Sequence, residues 1–175
     1  MTAQPEVRLR AGSAELMDAA IAGDEALAAA LGHPVAPGWI SFTEALAPTR
    51  NAIAADPSRA EWGVRFFLAG EPPELVGWGG FKGPPVNGEV ELGYEIAPSR
   101  RRRGLASDAV RAMLAEAFAV ETVELVIAHT LPEKNASNRL LEKAGFEHEG
   151  VAHDGEEIAW RYGLIRADWV RRHSA

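Results

Sequence analysis

Apolar and polar positions follow two periods along this chain, and the change between them marks its elements. In "GEVELGYEIAP", Val90, Leu92, Tyr94 and Ile96 alternate with Glu89, Glu91, Gly93 and Glu95. A period of two predicts a strand with an apolar face and three carboxylates on the opposite face. From Gly104 the period lengthens: Leu105, Val110, Met113, Leu114, Ala117 and Phe118 fall along one stripe, which predicts a helix.

The same patterns extend in both directions. "EVRLRAG" predicts a first strand, and "SAELMDAAIAGDEALAAALG" a helical region with Ser13 as N-cap and Gly23 as a break. "HPVAPGW" reads as a loop, and "SFTEALAPTRNAIAAD" as a helix that Pro48 should end or kink. "EWGVRFFLAG" and "ELVGWGGFKG" predict strands turning at "GEPPE", and "PPVNG" a second turn, so three strands form an antiparallel meander. Downstream, "TVELVIAHT" predicts a strand and "NASNRLLEKAG" a helix capped by Asn135 and ended by Gly145. "FEHEGVA" and "EEIAWRYGLI" predict strands, and "RADWVRR" a short last helix. Strand, helix and strand across residues 94–130 imply a right-handed crossover joining two parallel strands. The expected fold is α+β: one mixed, mostly antiparallel sheet of about six to seven strands flanked by helices. No internal repeat or long linker interrupts residues 1–175, so a single domain is expected.

Composition narrows the function classes. Hydrophobic residues make up 47% and charged residues 25%, the balance of a globular protein. No apolar run approaches the roughly 20 residues of a membrane-spanning helix, so no membrane partner is expected. The first residues lack an apolar segment behind basic ones, which points to a cytoplasmic protein. With no cysteine there is no thiol nucleophile, disulfide or thiolate metal site, and the five histidines show no metal-ligand spacing, so no metal is expected. His129, ending an apolar strand, has a structural reading and a second one as a base facing a cleft. The five tryptophans read as packing, with Trp39 a candidate for the wall of an acceptor pocket.

One feature runs against the acidic balance. Arginines occupy residues 100–103 in a chain of net charge −7. Four cations are a small footprint for a nucleic acid, so no nucleic-acid partner is expected, and a small phosphorylated ligand suits the run better. The run leads from the strand's end at Ile96 into a helix at Gly104. A helix N-terminus offers unpaired amides and a positive dipole end. Gly104 and Ala106 leave clearance for phosphate beside those amides, and arginines add bidentate reach.

The segment "ELGYEIAPSRRRRGLASDAVRAML" resembles the acyl-CoA-binding motif of the GNAT superfamily of N-acyltransferases, whose core signature is Gln/Arg-x-x-Gly-x-Gly/Ala. Arg101, Gly104 and Ala106 match it in register. "NASNRLLEKAGFEHEG" resembles the same family's later motif, an Asn-capped helix followed by Gly-Phe and a strand, and "VELGYEIA" is similar to the subgroup that acetylates ribosomal-protein N-termini.

The resemblance implies a splayed sheet, with the pantetheine arm of acetyl-CoA along Glu95, Ile96 and Ala97. It places the pyrophosphate on amides of Arg102, Arg103, Gly104, Leu105, Ala106 and Ser107. It also implies Asn135 on the opposite wall and an N–H near Ile96 for the thioester oxyanion. The reaction implied is direct transfer of an acetyl group to a primary amine in a ternary complex. Glu91 is the expected base. Many members carry a tyrosine seven residues after the capping Asn; Glu142 stands there, and Ser137 takes the place the ribosomal-protein subgroup uses for the departing thiolate. Glu156 is a second acceptor-side carboxylate to consider. A CoA-binding sensor of the same fold is the alternative. Dimers are common in that family, so a homodimer is a candidate assembly.

Overall fold

The structure, a computed structural model, describes residues 7–174. It begins with β1 (Val7–Ala11), followed by α1 (Ala14–Ala22). The Ser13 hydroxyl caps α1, accepting a hydrogen bond from the Leu16 amide at 3.2 Å. Gly23 closes α1 and starts α2 (Asp24–Leu31). A single 3₁₀ turn then leads into α3 (Leu46–Ala55). Pro48 neither ends nor kinks α3. It lies in the first turn, where an N–H has no partner within the helix to lose, so the helix continues.

The sheet comprises β1 with β2 (Val64–Ala69), β3 (Glu74–Phe81), β4 (Glu89–Ile96), β5 (Leu125–Thr130), β6 (Glu147–Asp154) and β7 (Glu157–Ile165). Its order is β1-β2-β3-β4-β5-β7-β6. Every neighbouring pair is antiparallel except β4 and β5, which α4 (Leu105–Phe118) joins as a parallel crossover. The remaining helices are α5 (Ala136–Ala144) and α6 (Arg166–His173). Among the described residues no helix is long and apolar enough to cross a membrane.

The alternation in β4 sorts its neighbours. Val90, Leu92 and Ile96 pack in one core with Val110, Met113 and Leu114 of α4. On the opposite face, Leu16, Met17, Leu27 and Ile53 of the first three helices cover Phe66, Leu68 and Leu75. Trp39 belongs to this second core. It is 1% exposed, tilted on Phe66 and edge-on to Trp78, and its indole donates to Asp24 at 2.9 Å. Truncating an aromatic of that kind costs about 3–5 kcal/mol.

Where β3 crosses β4 the backbones approach closely. A side chain at Gly77 or Gly79 would collide with the carbonyl oxygens of Glu95 or Gly93, so the glycines in "GWGG" are required for strand contact. At the far end of the crossover, the Arg166 guanidinium donates to the carbonyls of Phe118, Val120 and Val123. This ties the end of α4 to the end of β7.

Candidate active site

β4 and β5 pair only from Glu89 to Glu91, opposite Leu125 to Ile127, and then part. β4 runs on to Ile96 with β3 alone beside it. Alternate residues of an antiparallel ladder turn their peptide groups to opposite edges. The carbonyls of Gly93 and Glu95 lie against β3, so the peptide groups of Tyr94 and Ile96 face the gap.

At the mouth of this gap lies a cavity of about 720 Å³. Eight of the predicted cofactor residues line it: Glu95, Ile96, Arg101, Arg102, Gly104, Leu105, Ala106 and Ser107. Three do not. Ala97 is buried, its amide donating to the Val76 carbonyl at 2.8 Å. Arg103 lines an adjoining cleft between α4 and α5, which shares Gly104, Ser107 and Leu140 with this cavity. Asn135 is engaged in capping α5.

The four arginines, alike in sequence, divide their work. Arg100 makes a two-pronged pair with Glu74 at 2.6 and 3.0 Å, and that hydrogen bond holds the Glu74 carboxyl below its usual range. Arg101 donates through Nε to the Ile96 carbonyl at 3.0 Å. Arg102 takes the left-handed conformation, φ 63°, and Gly104 follows at φ 77°. Two left-handed residues so close together turn the chain sharply into α4, and a non-glycine at 104 would be strained. The N-cap of α4 is Gly104, which brings no capping side chain, and the first residues of the helix line the cavity.

Across the gap, α5 begins with a reciprocal cap. The Asn138 amide donates to Asn135 Oδ1 at 3.0 Å, and the Asn135 amide donates to Asn138 Oδ1 at 2.8 Å. Buried Asn138 also donates to the Thr130 hydroxyl at 2.7 Å. The cap is therefore made without Ser137, whose hydroxyl instead lies 2.7 Å from the Tyr94 hydroxyl at the cavity wall. Burial pushes the Tyr94 phenol up, partly offset by that bond. Sequence reading placed Tyr94 only in the apolar face; a hydroxyl in an otherwise aliphatic stripe was the available signal, since a buried phenol needs a partner.

The β4 carboxylates lie on the α3 side. Glu89 pairs with Arg161 at 3.0 Å. Glu91 Oε1 accepts from Lys82 at 2.7 Å and lies 2.8 Å from His129 Nδ1. Burial works to raise the Glu91 pKa, but the bonds from His129 and Lys82 outweigh it and hold the carboxyl below its usual range. Glu95 accepts from the Trp78 indole at 2.9 Å. Glu156 is exposed in the turn between β6 and β7.

A second cavity, of about 560 Å³, opens on that face beneath the start of α3. Gly93 helps to form it, because the space a side chain would occupy there is open. The two cavities share Phe42, Tyr94 and Glu95. A cavity on the edge of β4 and another on its face thus meet beside the parted strands.

Comparison with known proteins agrees with this geometry. The acetyltransferase (GNAT) domain family matches residues 7–147. The uncharacterized N-acetyltransferase YjdG of Bacillus subtilis (strain 168) is 29% identical over 143 residues, covering 80% of this chain and 85% of that protein. Among solved structures, a spermidine N-acetyltransferase SpeG chimera from Vibrio cholerae and hSSAT superposes with a TM-score of 0.68 at 17% identity, covering 95% of this chain and 99% of the other. The ribosomal-protein-S5-alanine acetyltransferase of Vibrio fischeri superposes at 0.64 with 15% identity, covering 94% and 95%. With its parted strands, its open helix start and a domain match over most of its length, the chain belongs to the GNAT acetyltransferase family.

Proposed function

We propose that this protein moves an acetyl group from acetyl-CoA to a primary amine by direct transfer in a ternary complex. The observation that carries this reading is the junction at Tyr94 and Glu95, where the cavity at the helix start meets the cavity under α3. A thioester held in one and an amine held in the other come into contact there without a covalent enzyme intermediate. Proximity of that kind removes much of the entropic barrier of a two-substrate reaction.

The residues present suit acetyl-CoA. The amides of residues 102–107 and the uncapped start of α4 supply donors for the pyrophosphate, with Arg101 and Arg102 adjacent. The open edge offers the Tyr94 peptide group and the Ile96 N–H to the amide-bearing pantetheine arm, as a sheet edge does to an added strand. The Ile96 N–H is aimed into the gap, where an oxyanion would develop. Ser137, backed by Tyr94, is placed to hand a proton to the departing thiolate. A β4 carboxylate, Glu91 or Glu95, takes the proton that an ammonium must lose before it attacks.

The test is incubation with acetyl-CoA and a panel of N-terminal peptides and small amines, with release of CoA measured. Amine-dependent release is expected. Thermal protection by acetyl-CoA without turnover of any amine would sink the enzyme reading and leave a CoA-responsive regulatory module. Glu142 in place of a tyrosine is the feature that favours this second reading.

A further inference from the structure

The cavity under α3 has two charged residues on its wall, Glu95 and Lys82; Phe42, Trp78 and Phe81 give much of the rest an aromatic character. Lys82 is committed to Glu91. Of the three β4 carboxylates, Glu89 and Glu91 each carry a cationic partner, whereas Glu95 is held by the neutral Trp78 N–H. A cationic partner opposes uptake of a proton by a carboxylate. The Trp78 bond engages Glu95 Oε2 and leaves Oε1 for a substrate. The carboxylate is also well braced, because Trp78 packs edge-on to Trp39, and Trp39 is anchored by Asp24. Glu95 is the one carboxylate shared by both cavities.

We propose that Glu95 takes the proton from the acceptor's ammonium, and that the acceptor carries a single ammonium on an apolar body. The inference rests on the acetyltransferase reading of this site and assigns its base and substrate class. A second ammonium in this cavity would meet Lys82 or an aromatic wall, with no carboxylate to offset its desolvation. Both an arylalkyl amine and a peptide with an apolar first residue have the required chemistry.

The step balances as follows. Glu95 Oε1 takes one proton from the ammonium, and the freed nitrogen lone pair forms the C–N bond at the thioester carbon. On collapse the C–S bond breaks with its electron pair on sulfur. The second proton lost by nitrogen passes to sulfur through the Ser137 hydroxyl, which gives one proton as it takes another. Glu95 then releases its proton to solvent.

The experiment compares the parent, Glu95→Gln and Glu91→Gln with 2-phenylethylamine, a peptide beginning with an apolar residue, spermidine, and an aniline that is neutral at pH 7. Equal thermal protection by acetyl-CoA verifies that each variant is folded and binds. The parent should favour the phenylethylamine or the peptide over spermidine by at least about tenfold in kcat/KM, and the better of these two identifies the source. Glu95→Gln should lose roughly 10²–10⁴-fold in kcat with the alkyl ammonium substrates. Its loss should shrink to under about tenfold with the aniline, which has no ammonium proton to give up. The loss in Glu91→Gln should be at least about tenfold smaller than in Glu95→Gln. A larger loss in Glu91→Gln, or an equal loss in Glu95→Gln with the aniline, overturns the assignment of the base. Preference for spermidine overturns the substrate class. If the parent acetylates no amine, the acetyltransferase reading fails with it, an outcome distinct from an active parent and an undamaged Glu95→Gln.

Discussion

Two helices begin beside the gap between β4 and β5, and their first turns are finished in opposite ways. α5 is closed from within: Asn135 and Asn138 exchange hydrogen bonds, and Asn138 reaches on to Thr130. α4 is entered through Arg102 and Gly104, both left-handed, and its N-cap glycine brings no capping side chain. The two starts carry the same unpaired amides and the same dipole. What separates them is whether the N-cap residue provides its own acceptor. With glycine as N-cap, forgoing a capping side chain costs a helix only roughly a few tenths of a kcal/mol, so a glycine start is a cheap way to leave helix donors accessible.

The largest expected effect comes from closing α4. Ala106→Glu puts a carboxylate in its first turn, where negative charge favours the helix but displaces a phosphate. The variant should fold as well as the parent while its KM for acetyl-CoA rises at least about 100-fold, or roughly 2.7 kcal/mol. Undiminished thermal protection by acetyl-CoA would break the comparison. The converse change is Asn138→Ala, which loosens the start of α5 while leaving the Asn135 cap in place. Loss of the bond from the Asn135 amide and of the Thr130 bond should lower stability by about 2 kcal/mol in urea unfolding, with KM for acetyl-CoA within about threefold. A KM effect larger than the stability effect would show that α5 also binds ligand through its start.

The smallest effect concerns how the two starts are braced. α5 depends on neutral amides, whereas the loop into α4 is held by the pair between Arg100 and Glu74. Because the native Glu74 pKa is lowered, the pair's contribution is present above the unfolded carboxylate value, near pH 4, and is lost as pH falls through the native one. Glu74→Gln should therefore be less stable than the parent at pH 7 by under about 1 kcal/mol, and the difference should close as pH falls below about 4. A difference that stays constant with pH would remove the ion pair from the account.

How much of this was legible in the sequence depended on the range of the interaction. The α4 stripe and the β4 alternation were readable because each is a local pattern facing one core. Asn135 and Gly145 were readable as the ends of α5 for the same reason. Pro48 misled because its cost depends on its place in the turn, and a preceding 3₁₀ turn shifted that place. Nothing local put β7 between β5 and β6, since a hairpin can dock through either strand. At the candidate site, Gly104 and Ala106 were visible, but the partners that distinguish the carboxylates were not. Trp78 and His129 reach β4 from other strands, and Lys82 from just beyond the end of β3, only through the register of the sheet. Likewise the arginine run could not announce that one member clasps β3 and another the end of β4.

The parted strands have a consequence for self-association. From Leu92 to Ile96, β4 is an edge strand inside a sheet, and exposed edges invite strands from other molecules. Arg101 covers the Ile96 carbonyl, Pro98 lies two residues beyond, and the open stretch is short. The arginine in register with an acyl-CoA signature thus also blunts this edge, leaving it poorly suited to pairing with another polypeptide.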